Sequence, residues 1–466
     1  MQYKYQRGRP RQRGGQRGRR DNRQLREIST TPQLPLGPLM QDLRSNDLAS
    51  SAASFRAAAC ITNCTVVASW NWTNAKHPEM FIPGMPPQWT PLSQPKKLPE
   101  DNGEYFRDRN AARCPKHPME PAIVAALKES PESCGSAGVD LVACSSTLGN
   151  LLRFVRGEDK PFRMLVEKVG KTVFFVRREN SPTEKMIGVR GFGHTFPEAY
   201  TTWNSNVKTS TSHQRVLRYS FGGLQCFVRF EADGYIPGEA KNAREKSTTA
   251  RVNLPITSND LVAALNAATI SSEASTSSGG LKLKEVGTRV SQDQIFDLKT
   301  RSYRKKDQDT TNEELPRLWV TQLHNFILAH HHDGLFNDIE VKNVRERVLE
   351  WEQSNIEVLS RLAALIHRIR DMVYDVAGGK LEVCHMLTST GVLQIRQQLP
   401  GADNALSPEV AARWIMTQDD SGSGPSVSDS DSSSAGGVDW NEEGEDFTAC
   451  SAACDYCGHC AALKKI

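Results

Sequence analysis

Two short stretches hold residues whose types and spacing could do chemistry together. Val228-Arg229-Phe230-Glu231-Ala232-Asp233-Gly234-Tyr235 places Glu231 two residues from Asp233, and Gln294-Ile295-Phe296-Asp297-Leu298-Lys299-Thr300-Arg301 places Asp297 two residues from Lys299. On a β-strand, residues i and i+2 face the same way. Were the two strands neighbours, three carboxylates and one ammonium would converge on one point. Carboxylates that close repel unless a divalent cation neutralises them, and hard oxygen ligands suit Mg²⁺ or Mn²⁺. A lysine beside such an ion can stabilise the charge of a phosphoryl transition state. This is the equipment of a metal-dependent nuclease. Taken singly, each triplet is also what an exposed strand edge carries as solvated charge. The apolar, β-branched and aromatic surroundings of both predict strands at least half buried, where charges need partners.

The elements that must position these residues are legible in outline. Thr65–Trp70 reads as a strand and Leu148–Val155 as helical. Phe162–Val169 with Thr172–Arg177 predicts a hairpin around Gly170-Lys171, and Val216–Phe221 with Leu224–Glu231 predicts another around Gly222-Gly223. Residues 82–118 are Pro-rich and are expected to cross the core as a long ordered loop. Between the two acidic triplets, residues 236–292 read as a surface insertion with a helix over Ser258–Ala268, a Ser-rich linker over Ser271–Gly280 and a further strand at Leu281–Lys284. The apolar positions Val344, Val348, Leu349, Ile356, Leu359, Leu362, Leu365, Ile366, Ile369 and Val373 predict helix from Val341 to Val376, ended by Gly378-Gly379. Leu381–Met386 and Gly391–Gln397 predict a last hairpin. The expected fold is α+β, a central mixed β-sheet flanked by helices. Its parts are a disordered Arg/Gly-rich arm (1–45), a core domain (46–400), an acidic Ser-rich linker (401–446) and a Cys-rich tail (447–466).

Gly193-His194-Thr195-Phe196-Pro197-Glu198 adds a carboxylate ahead of the first triplet, and Trp319-Val320-Thr321-Gln322 follows the second, at the expected start of a helix. In this order the phrases resemble the PD-(D/E)xK nuclease superfamily, and within it the DXO-type decapping and deNADding exonucleases. They are also similar to a group of fungal proteins with the same phrases and cysteine-rich end. The DXO order is a glycine-led motif ending in Glu, then Glu-x-Asp, Glu-x-Lys, and a Trp-containing segment with Gln. The residues that match are Gly193 with Glu198, Glu231 with Asp233, Asp297 with Lys299, and Trp319 with Gln322. The resemblance implies that Glu198, Glu231, Asp233 and Asp297 hold Mg²⁺ or Mn²⁺, that Lys299 orients or activates water, and that Gln322 positions Lys299 or the scissile phosphate. Asp297 stands where the family has Glu, and Pro197 displaces Glu198 by one residue. The family's early arginine has no match at Thr147-Leu148-Gly149, with Arg153 and Arg156 nearby.

Composition bounds the rest. Hydrophobic residues make up 38% of the 466, and the net charge of +4 conceals a basic arm, ten Lys or Arg within residues 1–27, and an acidic tail. Such an arm neutralises phosphates and stacks on bases, so RNA is the expected partner, against a solubilising or protein-binding role. No run approaches the roughly 18 apolar residues of a membrane span, and the N-terminus lacks the apolar core of a secretory signal. With eleven cysteines, an odd number, mostly free thiols in a nuclear or cytoplasmic setting are expected. Cys450-x₃-Cys454-x₂-Cys457-x₂-Cys460 suits Zn²⁺, with an iron–sulfur site, partial coordination or redox-active thiols left open. As a zinc module it would dock a protein partner. His330-His331-His332 is read as helical and exposed, with at most one histidine near the site. An isoprenyl diphosphate synthase needs paired Asp-rich motifs on an all-α bundle; the Asp pair Asp419-Asp420 falls in a Ser/Gly linker, and strand character is too high. The sequence thus favours a Mg²⁺- or Mn²⁺-dependent phosphodiesterase acting on RNA 5′ ends. The alternative is a catalytically impaired RNA-binding protein of the same fold.

Overall fold

The computed structural model describes residues 35–419, apart from 136–137, 187–188, 239–279 and 387–388. The fold is mixed α/β, as expected, but strand pairing divides between two large sheets. The larger has eleven strands. From edge to edge they are Leu39–Arg44, Val392–Gln397, Lys380–His385, Phe162–Val169, Thr172–Arg178, Leu141–Cys144, Leu224–Ala232, Ser210–Phe221, Thr62–Thr73, Glu79–Gly84 and Lys282–Gly287. All three expected hairpins are in it. Gly222 and Gly223 turn the central one with φ of +59° and +81°, a conformation side chains seldom adopt. The smaller sheet runs Thr201–Thr202, Gln88–Trp89, Gly234–Tyr235, Ile295–Ser302, Asn325–His332, Leu335–Asn343.

The two acidic triplets therefore lie in different sheets. Leu224–Ala232 belongs to the larger one, and the chain enters the smaller one at Gly234, where Gly234–Tyr235 pairs antiparallel with Ile295–Ser302. The approach at Gly234 is close: a Cβ there would meet Phe296 Cζ at 2.5 Å and the Pro87 carbonyl oxygen at 2.7 Å.

The apolar helix over Val341–Val376 is broken in two places. Val341 lies in a strand, Leu335–Asn343, because its alternating residues continue the hairpin. The remainder splits at Asn355 into Arg345–Ser354 and Ile356–Asp375, and the Asn355 side chain donates to the Trp351 carbonyl at 2.8 Å. The second helix buries Leu359, Leu362, Ile366, Ile369 and Val373 in the main core, together with Leu148, Leu151 and Leu152 of the helix Ser145–Val155. The triple histidine is on a strand, Asn325–His332, and His330 is 2% exposed, which corrects the helical, surface reading. The Pro-rich stretch crosses to the smaller sheet, where the Leu98 N–H donates to the Gly334 carbonyl at 2.9 Å.

Folded structure reaches beyond the expected core at both ends. Leu39–Arg44 pairs with Val392–Gln397, and the helix Pro408–Asp419 buries Trp414 completely, with Nε1 donating to Thr172 Oγ1 at 3.1 Å. The described cysteines are free thiols. Residues 1–34 of the arm, the expected helix Ser258–Ala268 and Cys450, Cys454, Cys457 and Cys460 lie outside the described residues. Among the described residues no helix is long and apolar enough to cross a membrane.

Trp414 tests whether the last helix belongs to the cooperative unit. Trp414→Ala should cost about 3–5 kcal/mol, the usual range for emptying a buried aromatic site, and lower the urea midpoint accordingly. An unchanged midpoint would show that this helix unfolds separately.

Candidate active site

Asp233 stands where the chain passes from one sheet to the other. Its Oδ2 accepts the Leu298 N–H at 2.7 Å, so the side chain serves as a pairing partner for Ile295–Ser302. It also shares a hydrogen bond with Asp297, which is 4% exposed. Burial, then the neighbouring Asp297 charge and that shared hydrogen bond, push the Asp233 carboxyl well above the usual range. Arg317 and the Leu298 N–H offset this only in part. Burial and the neighbouring carboxylate thus favour the protonated form of Asp233.

The helix Thr310–Thr321 supplies a counter-charge. Its start is set by Asp309, whose side chain accepts the Asn312 N–H at 3.0 Å. Arg317 Nη2 lies 2.8 Å from Asp297 Oδ2, and Arg317 Nε donates to Glu314 Oε2 at 2.9 Å. Glu314 Oε1 in turn lies 3.1 Å from Lys299 Nζ. Asp297 and Lys299 thus point one way, as their spacing requires, and meet an Arg–Glu pair three residues apart on the facing helix. Partial burial opposes the charge on Arg317, but Asp297 and Glu314 raise its pKa above the ordinary value. Burial likewise opposes the charge on Glu314, while Arg317 and Lys299 hold its pKa below the usual range.

Glu231 is held from two sides. Its Oε1 accepts from Arg109 Nη1 at 3.1 Å and its Oε2 from Gln214 Nε2 at 3.0 Å. Asp108 places Arg109 at the start of a short helix by accepting the Asn110 and Ala111 N–H groups, both at 3.0 Å. Arg229 orients Gln214, donating to its Oε1 at 2.8 Å. Glu198 rides on the turn Thr195–Tyr200, whose first N–H groups are met by Asp101: Thr195 N–H donates to Oδ1 at 2.9 Å. His194 stacks on Tyr105 with ring centroids 3.5 Å apart, and burial, then Arg109, lower its pKa.

Glu198, Glu231 and Asp233 line one hollow of about 440 Å³, with Arg107, Arg109, Arg177 and Arg229 in its walls. A second hollow of about 500 Å³ adjoins it and holds Arg190, Lys299, Arg301 and Lys305. Gly193, His194, Pro197 and Asp233 belong to both. Asp297 lies behind Asp233. Gln322 is elsewhere. Trp319 and Gln322 end their helix rather than start it. Gln322, at φ +49°, turns its Nε2 back to the Trp319 carbonyl at 2.6 Å and closes its own helix. Glu314 is the residue of that helix that reaches Lys299. Arg153 and Arg156 are engaged with Asn150 and Glu158. Glu314-x-x-Arg317 was visible as an i,i+3 pair; nothing in the sequence marked Arg109 or Gln214.

The chain belongs to the family described as domain of unknown function DUF8563, whose profile matches residues 48–397. No curated protein matches the sequence. Among solved structures it is similar to Rai1 of Scheffersomyces stipitis in complex with (3′-NADP)⁺ and calcium ion, at 9% identity and a TM-score of 0.47, over 83% of this chain and 97% of that one. It is similar to Candida albicans Rai1 in complex with pU5-Mn²⁺, at 10% identity and a TM-score of 0.47, over 83% and 99%. It is also similar to K. lactis Dxo1 in complex with manganese, at 9% identity and a TM-score of 0.42, over 80% and 95%.

The raised pKa of Asp233 makes stability depend on pH with a definite sign. An acid whose folded pKa is raised favours the folded state while it holds its proton. For Asp233 that contribution is whole below the unfolded value, about pH 4, and is lost as pH rises through the raised folded value. In EDTA, the urea midpoint of Asp233→Asn should therefore gain on that of the wild type as pH is raised. A difference that stays constant between about pH 4 and pH 8 would show that Asp233 is an ordinary carboxylate.

Proposed function

We propose that the cleft hydrolyses phosphodiester bonds in RNA, at 5′ ends, with a divalent cation held by Asp233 and Asp297 and with Glu231 and Glu198 in the same oxygen set. The observation that carries this reading is the buried pair of adjacent acids, Asp233 and Asp297. Two acids held together against their mutual repulsion have strong reason to exchange a proton for a cation, and donors that are all carboxylate oxygen fit Mg²⁺ or Mn²⁺. When bound, the ion would supply Lewis-acid stabilisation and a water of lowered pKa. Lys299 carries its ammonium on the same strand face as Asp297, where it can orient water or steady phosphoryl charge. The arginines and lysines of the two hollows give a strand's phosphates a basic track on either side of Asp233. His194 stacked on Tyr105 supports Arg109 beside Glu231. The preference for 5′ ends rests on the order of the motifs. A nuclear or cytoplasmic location, Zn²⁺ at the four C-terminal cysteines and a protein partner docked there complete the reading.

The second reading, a catalytically impaired RNA-binding protein, has its own observation. Arg317 already neutralises Asp297, and Arg109 already holds Glu231.

One set of assays separates the two. RNAs labelled near the 5′ end and bearing triphosphate, cap, NAD or monophosphate should be cleaved with Mg²⁺ or Mn²⁺ and spared with EDTA. Lys299→Ala should abolish cleavage and leave RNA affinity nearly unchanged, because the lysine acts on the transition state. In calorimetry Asp233→Asn should remove Mn²⁺ binding, and Arg317→Ala should tighten it. Mn²⁺ binding without cleavage of any RNA would favour the impaired protein; Mn²⁺ binding that Asp233→Asn leaves intact would remove the site.

A further inference from the structure

The hairpin Asn325–His332 and Leu335–Asn343 carries a second cluster, beside the end of the second hollow that Arg301 and His331 line. His330 pairs in register with Asp338, and Glu340 lies two residues beyond Asp338 on the same strand face. One ligand atom from each of His330, Asp338 and Glu340 lies within 4.8 Å of the others. His330 is 2% exposed, and neither of its ring nitrogens has a hydrogen-bond partner. A buried imidazole with both nitrogens unmet is uncommon in folded proteins and calls for a partner. Asp338 faces it, with Oδ2 3.7 Å from Nδ1, beyond hydrogen-bond reach.

We propose that His330, Asp338 and Glu340 form a second metal site, for a divalent transition ion, with Zn²⁺ the ion of choice. It does not depend on the function proposed for the cleft. One imidazole nitrogen and two carboxylate oxygens favour such an ion over Mg²⁺, and three protein ligands leave a position for water. The site is distinct from the acidic pair. Asp297 is in register with Phe326, and His330 lies four residues further along that strand, about 13 Å at strand rise.

Two lysines now hold the carboxylates. Lys306 Nζ lies 2.6 Å from Asp338 Oδ2, and Lys342 Nζ 2.7 Å from Glu340 Oε2. Both stems reach solvent, with side chains 43% and 31% exposed, so each ammonium can swing outward when an ion enters. The lysines neutralise the acids but leave the imidazole unmet; a metal ion satisfies all three. Bound there, it would tie the two strands of the hairpin to each other.

The test is a difference in bound zinc, which cancels whatever the C-terminal cysteines hold. Native mass spectrometry of the full chain, titrated with Zn²⁺, should count one more zinc in the wild type than in His330→Gln. Glu340→Gln, at a partly exposed side chain that folding can spare, should weaken that zinc roughly tenfold or more. Lys306→Ala should tighten it by removing the competing ammonium, and excess Mg²⁺ should leave it in place. Equal zinc counts in the wild type and both ligand variants would overturn the site. So would a His330 ring resonance that titrates with protons and ignores Zn²⁺, since the histidine would then be an ion-pair partner of Asp338 only. If His330→Gln does not fold, Glu340→Gln decides alone.

Discussion

A side-chain oxygen takes the place of a backbone carbonyl where the two sheets part. Asp233 accepts the Leu298 N–H, so Ile295–Ser302 stays hydrogen-bonded although the strand beside it has only two residues, Gly234–Tyr235. The substitution fixes where the sheets diverge, and the divergence opens the cleft. One wall descends from the larger sheet through Gln214 and Glu231; the other rises from the smaller sheet through Lys299 and Arg301. Gly234 makes the crossing sterically possible, because the backbone there runs against Phe296 and Pro87. Asp233 and Asp297 take their positions from that junction, and Glu198 is brought to it by the turn Thr195–Tyr200.

Around the junction, charges alternate in sign. Asp297, Arg317, Glu314 and Lys299 form a chain in which each group touches one of opposite sign, and Glu231 has its own guanidinium in Arg109. Exposed ion pairs contribute little stability, and half-buried ones gain little over apolar replacements. Their effect here is orientation. Lys299 cannot collapse onto Asp297 while Glu314 holds it. Asp297 in turn keeps its oxygens toward Asp233 and Arg317.

Local pattern made much of this architecture readable in advance. The hairpins at Gly170 and Gly222-Gly223 follow from alternation on either side of a glycine turn, which is a local signal. Same-face placement of Glu231 with Asp233, and of Asp297 with Lys299, follows from strand geometry alone. What failed depended on long-range pairing. Nothing near Asp233 in sequence says that its strand ends there and that another sheet begins. Val341 fits a helical period and an alternating one equally, so the hairpin's end was absorbed into the helix. Three consecutive histidines would spread around a helix, and only the pairing of Asn325–His332 with its neighbours turns His330 inward. Gln322 was placed by motif order, whereas the helix it closes presents Glu314 and Arg317 to the site from earlier turns. Arg109 comes from a loop far away in sequence, and no pattern of spacing connects it to Glu231.

Arg317 changes what arrival of a divalent ion would mean. Burial favours a proton on Asp233, and Asp297 faces the Arg317 guanidinium, so the repulsion between the two acids is relieved in the resting molecule. An ion of charge two that expelled the proton and pushed the arginine aside would leave the local charge where it began. Loading would be an ion exchange rather than a net accumulation of charge. Such an exchange is governed mainly by acidity and only weakly by ionic strength, because screening acts on net charge. The folded chain can then persist through metal scarcity with its acids compensated, and it need not be built around the ion in order to exist.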